Sequence, residues 1–451
     1  MSAYQETLKK IFGPSKSTTP STFTVFNQED LVEAAKLTKV YYVKANSNSI
    51  QAALDQAVED CKTKDVDMVH YAVMTFISHY PEARNQGLRV PSLAARHPNL
   101  FAQIGTAPGD EKLLDYWRED PNLNEHHEHW HILYTNVPKP EPTKPDETYM
   151  KDRFGELFIH MHRQMNARYI AERLSIGLDV TKPLEDYNEI IPEGYTPPIN
   201  LKSRRSPTYA ARSTGKQMIL SDAMLNTQNG DDLTVAKVSK ARDLIKKSIE
   251  TVTPQNGGYF LDENNKQIEP IVADKLGLAI ESGLKGRYAN LNMYTPFHMA
   301  GHIILGNLTD PGQNGKGVMG DVRVACRDPI FWRWHRHVDQ IYRRYQERLG
   351  LNHFDDSPPV KISSADISLA FKENIAKDIK NLKQLVDPTQ DETVTKWGQS
   401  HFGSYSTTEL QTKMAKRNFT WTEDDESTQE IQYIFPKEWY YFFRVENTSN
   451  Q

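Results

Sequence analysis

The sequence predicts a mainly α fold: a helical N-terminal domain, a four-helix bundle and a short mixed C-terminal extension. Three observations predict it. Apolar residues recur at spacings of three and four through most of the chain before position 350, the period of an amphipathic helix. The fifteen histidines cluster at the same helical spacings instead of being scattered. Beyond position 350 the pattern gives way to short apolar and aromatic runs.

The N-terminal domain is assigned to residues 1–105. Within it "EDLVEAAKLTKVYYVK", "SIQAALDQAVEDCKT" and "VDMVHYAVMTFISHY" read as successive helices. The second domain, 106–350, opens with "EKLLDYWRED" and the stretch "NEHHEHWH" at 124–131. A proline-rich loop follows, "TNVPKPEPTKPDET", which cannot continue a helix. Helical periodicity resumes in "GELFIHMHRQMNARYIAERLSIGL". Residues 185–232, rich in Pro, Asn and Asp, read as surface chain, and "LTVAKVSKARDLIKKSIETV" as another amphipathic helix. "GHIILGNLTDPGQNGKGVMGD" breaks into a glycine-rich loop before the long helix "DPIFWRWHRHVDQIYRRYQERLG". In the extension, 351–451, "PPVKISSADISLAF" reads as a strand and the acidic run at 423–426 as solvated. The aromatic "IFPKEWYYFF" reads either as a last core strand or as a lid that lays a ring over the bundle's centre.

The totals narrow the functional classes. At 451 residues the chain is too long for one core, and 38% hydrophobic with 25% charged residues is ordinary for a globular protein. A formal net charge of -5 argues against nucleic acid as a partner. No apolar run reaches the length of a membrane span. The first twenty residues lack the apolar segment of a signal peptide, so a cytoplasmic location is the default expectation. Two cysteines, Cys61 and Cys326, make neither a disulfide framework nor a zinc cluster.

The histidines carry the chemistry. His127 and His131 are four apart, so a helix projects both imidazoles from one face. His298 and His302 repeat the device in "FHMAGH". Each pair is followed by one further histidine on an expected helix, His162 in "GELFIHMHRQ" and His335 in "DPIFWRWHRHVD". Two triplets from four helices suit a dinuclear metal site in a bundle core. Six neutral imidazoles without a carboxylate favour copper or zinc over harder ions. The span His127–His131 also spells the H-E-x-x-H pattern of zinc proteases, with Glu128 as general base. That reading leaves the second pair and His335 without a role. His126, His129, His160 and His337 fall on other helix faces, and His70, His79, His97, His353 and His401 are structural or exposed by default. Among the neighbours Trp130, Phe158, Phe297, Phe331 and Trp334, most are core packing and one or two are candidates to line a substrate pocket. Asp339, one turn after His335, is placed to orient a ligand imidazole.

"YWREDPNLNEHHEHWHILY", "DRFGELFIHMHRQMNARYIAERLSIGL" and "GVMGDVRVACRDPIFWRWHRHVDQIY" resemble the arthropod hemocyanin and prophenoloxidase superfamily of type-3 dinuclear copper proteins. The resemblance covers residues 66–350. It implies two copper ions per chain, the first held by His127, His131 and His162, the second by His298, His302 and His335. Two departures stand out. The family's large β-sandwich third domain is expected to be missing or reduced to a few strands. Relatives usually carry Asn after the first histidine of the second set, where this chain has Met299, and that Asn is linked to phenol hydroxylation.

The resemblance implies dioxygen as one partner and leaves two functions open. One is a phenol oxidase of the catechol oxidase or tyrosinase class, taking o-diphenols or o-aminophenols to quinones or quinone-imines. The other is a reversible dioxygen carrier. A reduced third domain disfavours the large assemblies of carriers, although a homo-oligomer is compatible with either function. The oxidase is therefore the expected activity, with monophenol hydroxylation less so because of Met299.

Overall fold

A computed structural model describes residues 3–13, 21–134, 137–199, 201, 208–219, 233–281, 296–313, 315–350, 359–384, 388, 391–405, 411–420 and 428–449. The chain is mainly helical, and it divides into two compact units. One comprises residues 1–351 with 417–431, the other 352–416 with 432–451. His353 and the acidic run at 423–426 lie outside the described residues.

The larger unit begins with α1 (Ala3–Phe12), α2 (Gln28–Ser47), α3 (Ile50–Thr63) and α4 (Val66–His79). Asn27, Ser49 and Asp65 start the last three by accepting hydrogen bonds from first-turn amides, as side-chain caps do. Their buried faces meet in a core that includes Ala34, Tyr41, Tyr42, Leu54, Val73 and Phe76. The same core takes in Ile132, Met299 and Val322, so the first helices are packed against the elements that carry the histidines. Two short helices, α5 (Pro81–Asn85) and α6 (Leu93–Arg96), lead on to α7 (Asp115–Arg118).

The histidines ride on four helices. They are α8 (Pro121–Leu133), α9 (Phe154–Ser175), α12 (Phe297–Asn307) and α13 (Pro329–Leu349). α8 and α13 start alike, with an Asp cap (Asp120, Asp328) followed by Pro at the first position, where a missing N–H costs nothing. Between α8 and α9 the proline-rich loop forms a small antiparallel hairpin, β1 (Lys139–Pro140) with β2 (Thr148–Tyr149). α10 (Val235–Glu250), the hairpin of β3 (Tyr259–Leu261) and β4 (Gln267–Pro270), and α11 (Ala273–Glu281) fill the path to α12.

Beyond α13 come β5 (Val360–Lys361), β6 (Ile367–Phe371), α14 (Lys372–Asp378), α15 (Glu392–Ser400), β7 (Thr412–Thr420), β8 (Thr428–Pro436), β9 (Trp439–Phe443) and β10 (Glu446–Asn447). The strands pair two by two, β5 with β10, β6 with β9 and β7 with β8. In the smaller unit Ile375, Val394 and Trp397 form a core against which Tyr440 and Phe442 of β9 pack. Their neighbours Tyr441 and Phe443 alternate outward and are exposed.

Two close approaches fix the bundle. A Cβ on Gly155 would sit 2.1 Å from the Asp274 carbonyl oxygen, so α9 and α11 touch backbone to backbone. A Cβ on Gly301 would sit 2.0 Å from the Trp334 indole, which lies flat on α12 and donates from Nε1 to the His298 carbonyl at 3.2 Å. Gly301→Ala is therefore expected to cost about 1–3 kcal/mol of stability by overpacking. A denaturant titration of the variant checks it, and an unchanged midpoint would show that α12 and α13 separate more easily than their packing implies.

Candidate metal centre

The four helices bring six imidazoles together. His127, His298 and His302 have no exposed surface, His162 and His335 have 1% and His131 has 6%. Three overlapping triads have ligand atoms within 4.8 Å of one another: His127, His131 and His162; His162, His298 and His335; and His127, His302 and His335. The Nε2 atoms of His298, His302 and His335 converge more closely, at 2.9, 3.1 and 3.4 Å. The rings also face each other across the centre. His162 stacks on His335 at 4.5 Å and 10°, and His131 lies parallel to His298 at 6.4 Å and 2°.

The other ring nitrogen sets which atom can bind a metal. Nδ1 of His162 and of His335 donates to the carbonyl one turn back, Phe158 at 3.0 Å and Phe331 at 2.7 Å. Nδ1 of His127 and of His302 donates instead to the loop before α13, at Val322 (3.1 Å) and Met319 (2.9 Å). Each of these four rings is thereby held in the tautomer whose Nε2 lone pair points inward. Nε2 of His127, His131 and His162 is buried without a hydrogen-bond partner, a costly condition unless the atom binds something else. Burial drives every one of these histidines to lower pKa, to about 3 for His162 and His302, so all six are neutral donors near pH 7. Three nitrogens about 2.0–2.1 Å from one ion stand roughly 3.5 Å apart, close to the spacing of the second triplet. The donor set therefore fits soft-to-borderline ions of the copper and zinc type.

An aromatic ring that the sequence reading missed covers the centre. Phe26 stacks on His302 at 4.1 Å and 9°, and its edge meets His131 at 5.9 Å. It sits at the end of an irregular strap held by two carboxylates. Asp65 accepts from the Ser21 hydroxyl and from the Thr22 and Phe23 amides, and Asp30 accepts from the Thr24 amide. A cavity of about 50 Å³ lies beside the strap, between Phe23, Thr24 and Val25 on one side and Tyr71, Ile132 and Val322 on another. The signal for Phe26 is tertiary, because no local pattern marks one phenylalanine among the chain's 17.

Several neighbours take roles other than those the sequence suggested. Asp339 accepts from Arg163 at 2.6 Å and from Arg336 at 3.2 Å, whereas His335 Nδ1 is satisfied by its own helix, so Asp339 does not orient that imidazole. Phe297 and Trp334 pack on each other and on His337 behind α12 instead of lining an opening. Met299 is buried in the core of the first helices. Phe158 and Phe331 do wall the centre, at 4.6 Å from His162 and 3.9 Å from His335. His126 and His160 are exposed, while His337 is buried with Nε2 3.3 Å from the Tyr187 hydroxyl.

Glu128 decides between the two readings of H-E-x-x-H. Its carboxylate forms a two-pronged pair with Arg96 at 3.1 and 2.5 Å, both side chains buried. It is a structural anion rather than a general base. Glu128→Gln leaves a buried guanidinium short of its counter-charge and is expected to destabilise the fold by about 3–5 kcal/mol. The midpoint of chemical unfolding would show it, and full stability in the variant would return Glu128 to the list of reactive groups.

The hemocyanin copper-containing domain matches residues 25–342. The hemocyanin B chain of Aphonopelma sp. is 31% identical over 359 residues, covering 72% of this chain and 53% of the relative. Phenoloxidase 8 of Anopheles gambiae is 28% identical over 362 residues, covering 73% and 48%. A crystal structure of a hemolymph-type prophenoloxidase from a crustacean superposes with a TM-score of 0.68 at 20% identity, covering 99% of this chain and 68% of that one. The chain spans about half the length of the curated relatives it matches. Among the described residues no helix is long and apolar enough to cross a membrane. The chain belongs to the hemocyanin and prophenoloxidase superfamily of type-3 copper proteins.

Proposed function

We propose that this protein is a copper-dependent phenol oxidase, which uses dioxygen to take o-diphenols or o-aminophenols to quinones or quinone-imines. One copper is held by His127, His131 and His162, the other by His298, His302 and His335. Bound there, the pair supplies redox chemistry that passes electrons from two diphenols to one dioxygen, giving two quinones and two waters.

The chain's own part is placement and exclusion. Backbone carbonyls aim the Nε2 lone pairs, burial keeps the imidazoles neutral, and Phe158 and Phe331 keep bulk water from the centre. The observation that carries the oxidase reading is Phe26, a planar six-membered ring lying 4.1 Å above His302 and nearly parallel to it. That contact outlines a slot for a substrate ring, on a strap separate from the four helices. A dioxygen carrier would use the same histidines but would not need a second ring to take the place that Phe26 fills. Met299 offers a thioether buried among the first helices instead of a polar group beside His298, so diphenols are favoured over monophenols.

The test is dioxygen uptake by the copper-loaded chain with excess catechol. Uptake far beyond one dioxygen per copper pair, lost in His335→Ala, is expected. Phe26→Ala is expected to raise kcat/KM for catechol severalfold, about tenfold if the ring withholds some 1.4 kcal/mol of access. A monophenol in the same cell should turn over far more slowly. Uptake that stops at one dioxygen per pair and reverses under vacuum would make the protein a carrier.

A further inference from the structure

α8, which bears His127 and His131, ends without the glycine that commonly closes a helix. Its cap is Tyr134, at φ -121°, whose amide reaches only the Trp130 carbonyl. Two of the remaining carbonyls, those of His131 and Leu133, are tied off from outside. The Tyr71 hydroxyl of α4 donates to the His131 carbonyl at 2.9 Å, and Lys139 Nζ of β1 donates to the Leu133 carbonyl at 2.6 Å. Lys139 is only 3% exposed and also reaches His79 Nε2 at 2.7 Å. His79 Nδ1 lies 2.9 Å from the Thr75 carbonyl and Nε2 3.0 Å from the Leu133 carbonyl; with the ring proton on Nδ1, Nε2 accepts from the lysine and His79 and Lys139 close on the same helix end.

Among the described residues no carboxylate pairs with the amine. It faces the imidazole of His79 on α4, the helix end of α8 and the ring of Tyr149 on β2, 5.5 Å away. The charge of Lys151 repels it, and Arg84 acts on both His79 and Tyr149. Glu141 bears on Tyr149 and on Tyr42 of α2.

We propose that Lys139 is a positioning residue for His131, an anchor that ties the end of the metal-bearing helix to β1 and α4 and that acid loosens. This rests on the copper reading only in what the anchor is for. The direction follows from burial. Loss of solvent, with Lys151 second, lowers the lysine to about 7 from its ordinary 10.5, and burial lowers His79 to about 4. In the closed arrangement the amine is neutral above pH 7, whereas once released it holds a proton up to about 10.5. Opening therefore takes up a proton between those limits and grows about tenfold for each unit of falling pH, levels off near 7, and grows again below about 6.5 if His79 is released with the lysine.

Hydrogen exchange of residues 121–134 in the metal-free full-length chain, corrected for the intrinsic rate, is the experiment. The wild type is expected to open about tenfold more for each unit from pH 10 down to 7 and to level off between 7 and about 6.5, above the range where His79 titrates. Lys139→Met should show low protection at every pH. Lys139→Gln keeps a neutral donor, so it should retain protection and lose the pH dependence between 7 and 10, which also serves if the methionine variant does not fold. In the copper-loaded chain, loss of metal to a chelator should follow the same pH curve. Exchange in this helix that is flat with pH in the wild type, or unchanged in Lys139→Gln, overturns the proposal. A chain that binds no copper but shows the exchange curve keeps the anchor and removes the oxidase.

Discussion

Six uncharged imidazoles buried together with no carboxylate among them are the constraint on which the rest depends. Each ring has two nitrogens, and burial allows neither to go unpaired at no cost. For His162 and His335 the helix itself supplies the partner, through the carbonyl four residues back. His127 and His302 have no such recourse and borrow carbonyls at Val322 and Met319. The short loop before α13 is thus as much a part of the centre as the helices, although it contributes no side chain to it.

That loop must be rigid, and charge makes it so. Arg323 donates to both oxygens of Asp321 at 2.9 and 2.7 Å, Asp67 lies 3.5 Å from the guanidinium, and the Tyr209 hydroxyl donates to Asp321 at 2.6 Å. Similar buried pairs surround the bundle: Arg96 with Glu128, Arg118 with Asp115, Arg212 with Asp328 and Arg327 with Glu119. Buried ion pairs contribute little net stability, because desolvation offsets most of the attraction. What they supply here is directional fixing of helix starts and loops without bringing a carboxylate to the histidines, where it would compete for the metal's charge.

The mainly α character and the six histidines were legible because both rest on short-range periodicity. A histidine pair at four residues is a local pattern, and so is an amphipathic helix. Phe26, Lys139 and the Arg96 partner of Glu128 were not legible, since each is defined by a contact between distant segments. The carbonyls of Val322 and Met319 leave no trace in sequence at all, because any residue presents the same carbonyl. Asp339 shows the opposite error. Its spacing of four from His335 puts it on the right face, but one turn along that face Arg163 is nearer than the imidazole.

The H-E-x-x-H match shows why spacing alone does not settle chemistry. A residue adjacent to His127 is turned about 100° around the helix, so its side chain points away from the face shared with His131. Whether that carboxylate becomes a base or a counter-ion depends on what waits on the neighbouring face. Here Arg96 waits there, while a third imidazole comes from α9 and three more from α12 and α13. The same five letters would read as a hydrolase beside an open zinc ion with water access. In this chain two of them belong to a buried cluster of six imidazoles with no carboxylate among them, and the helix that carries them is held at its end by neighbours rather than by its own sequence.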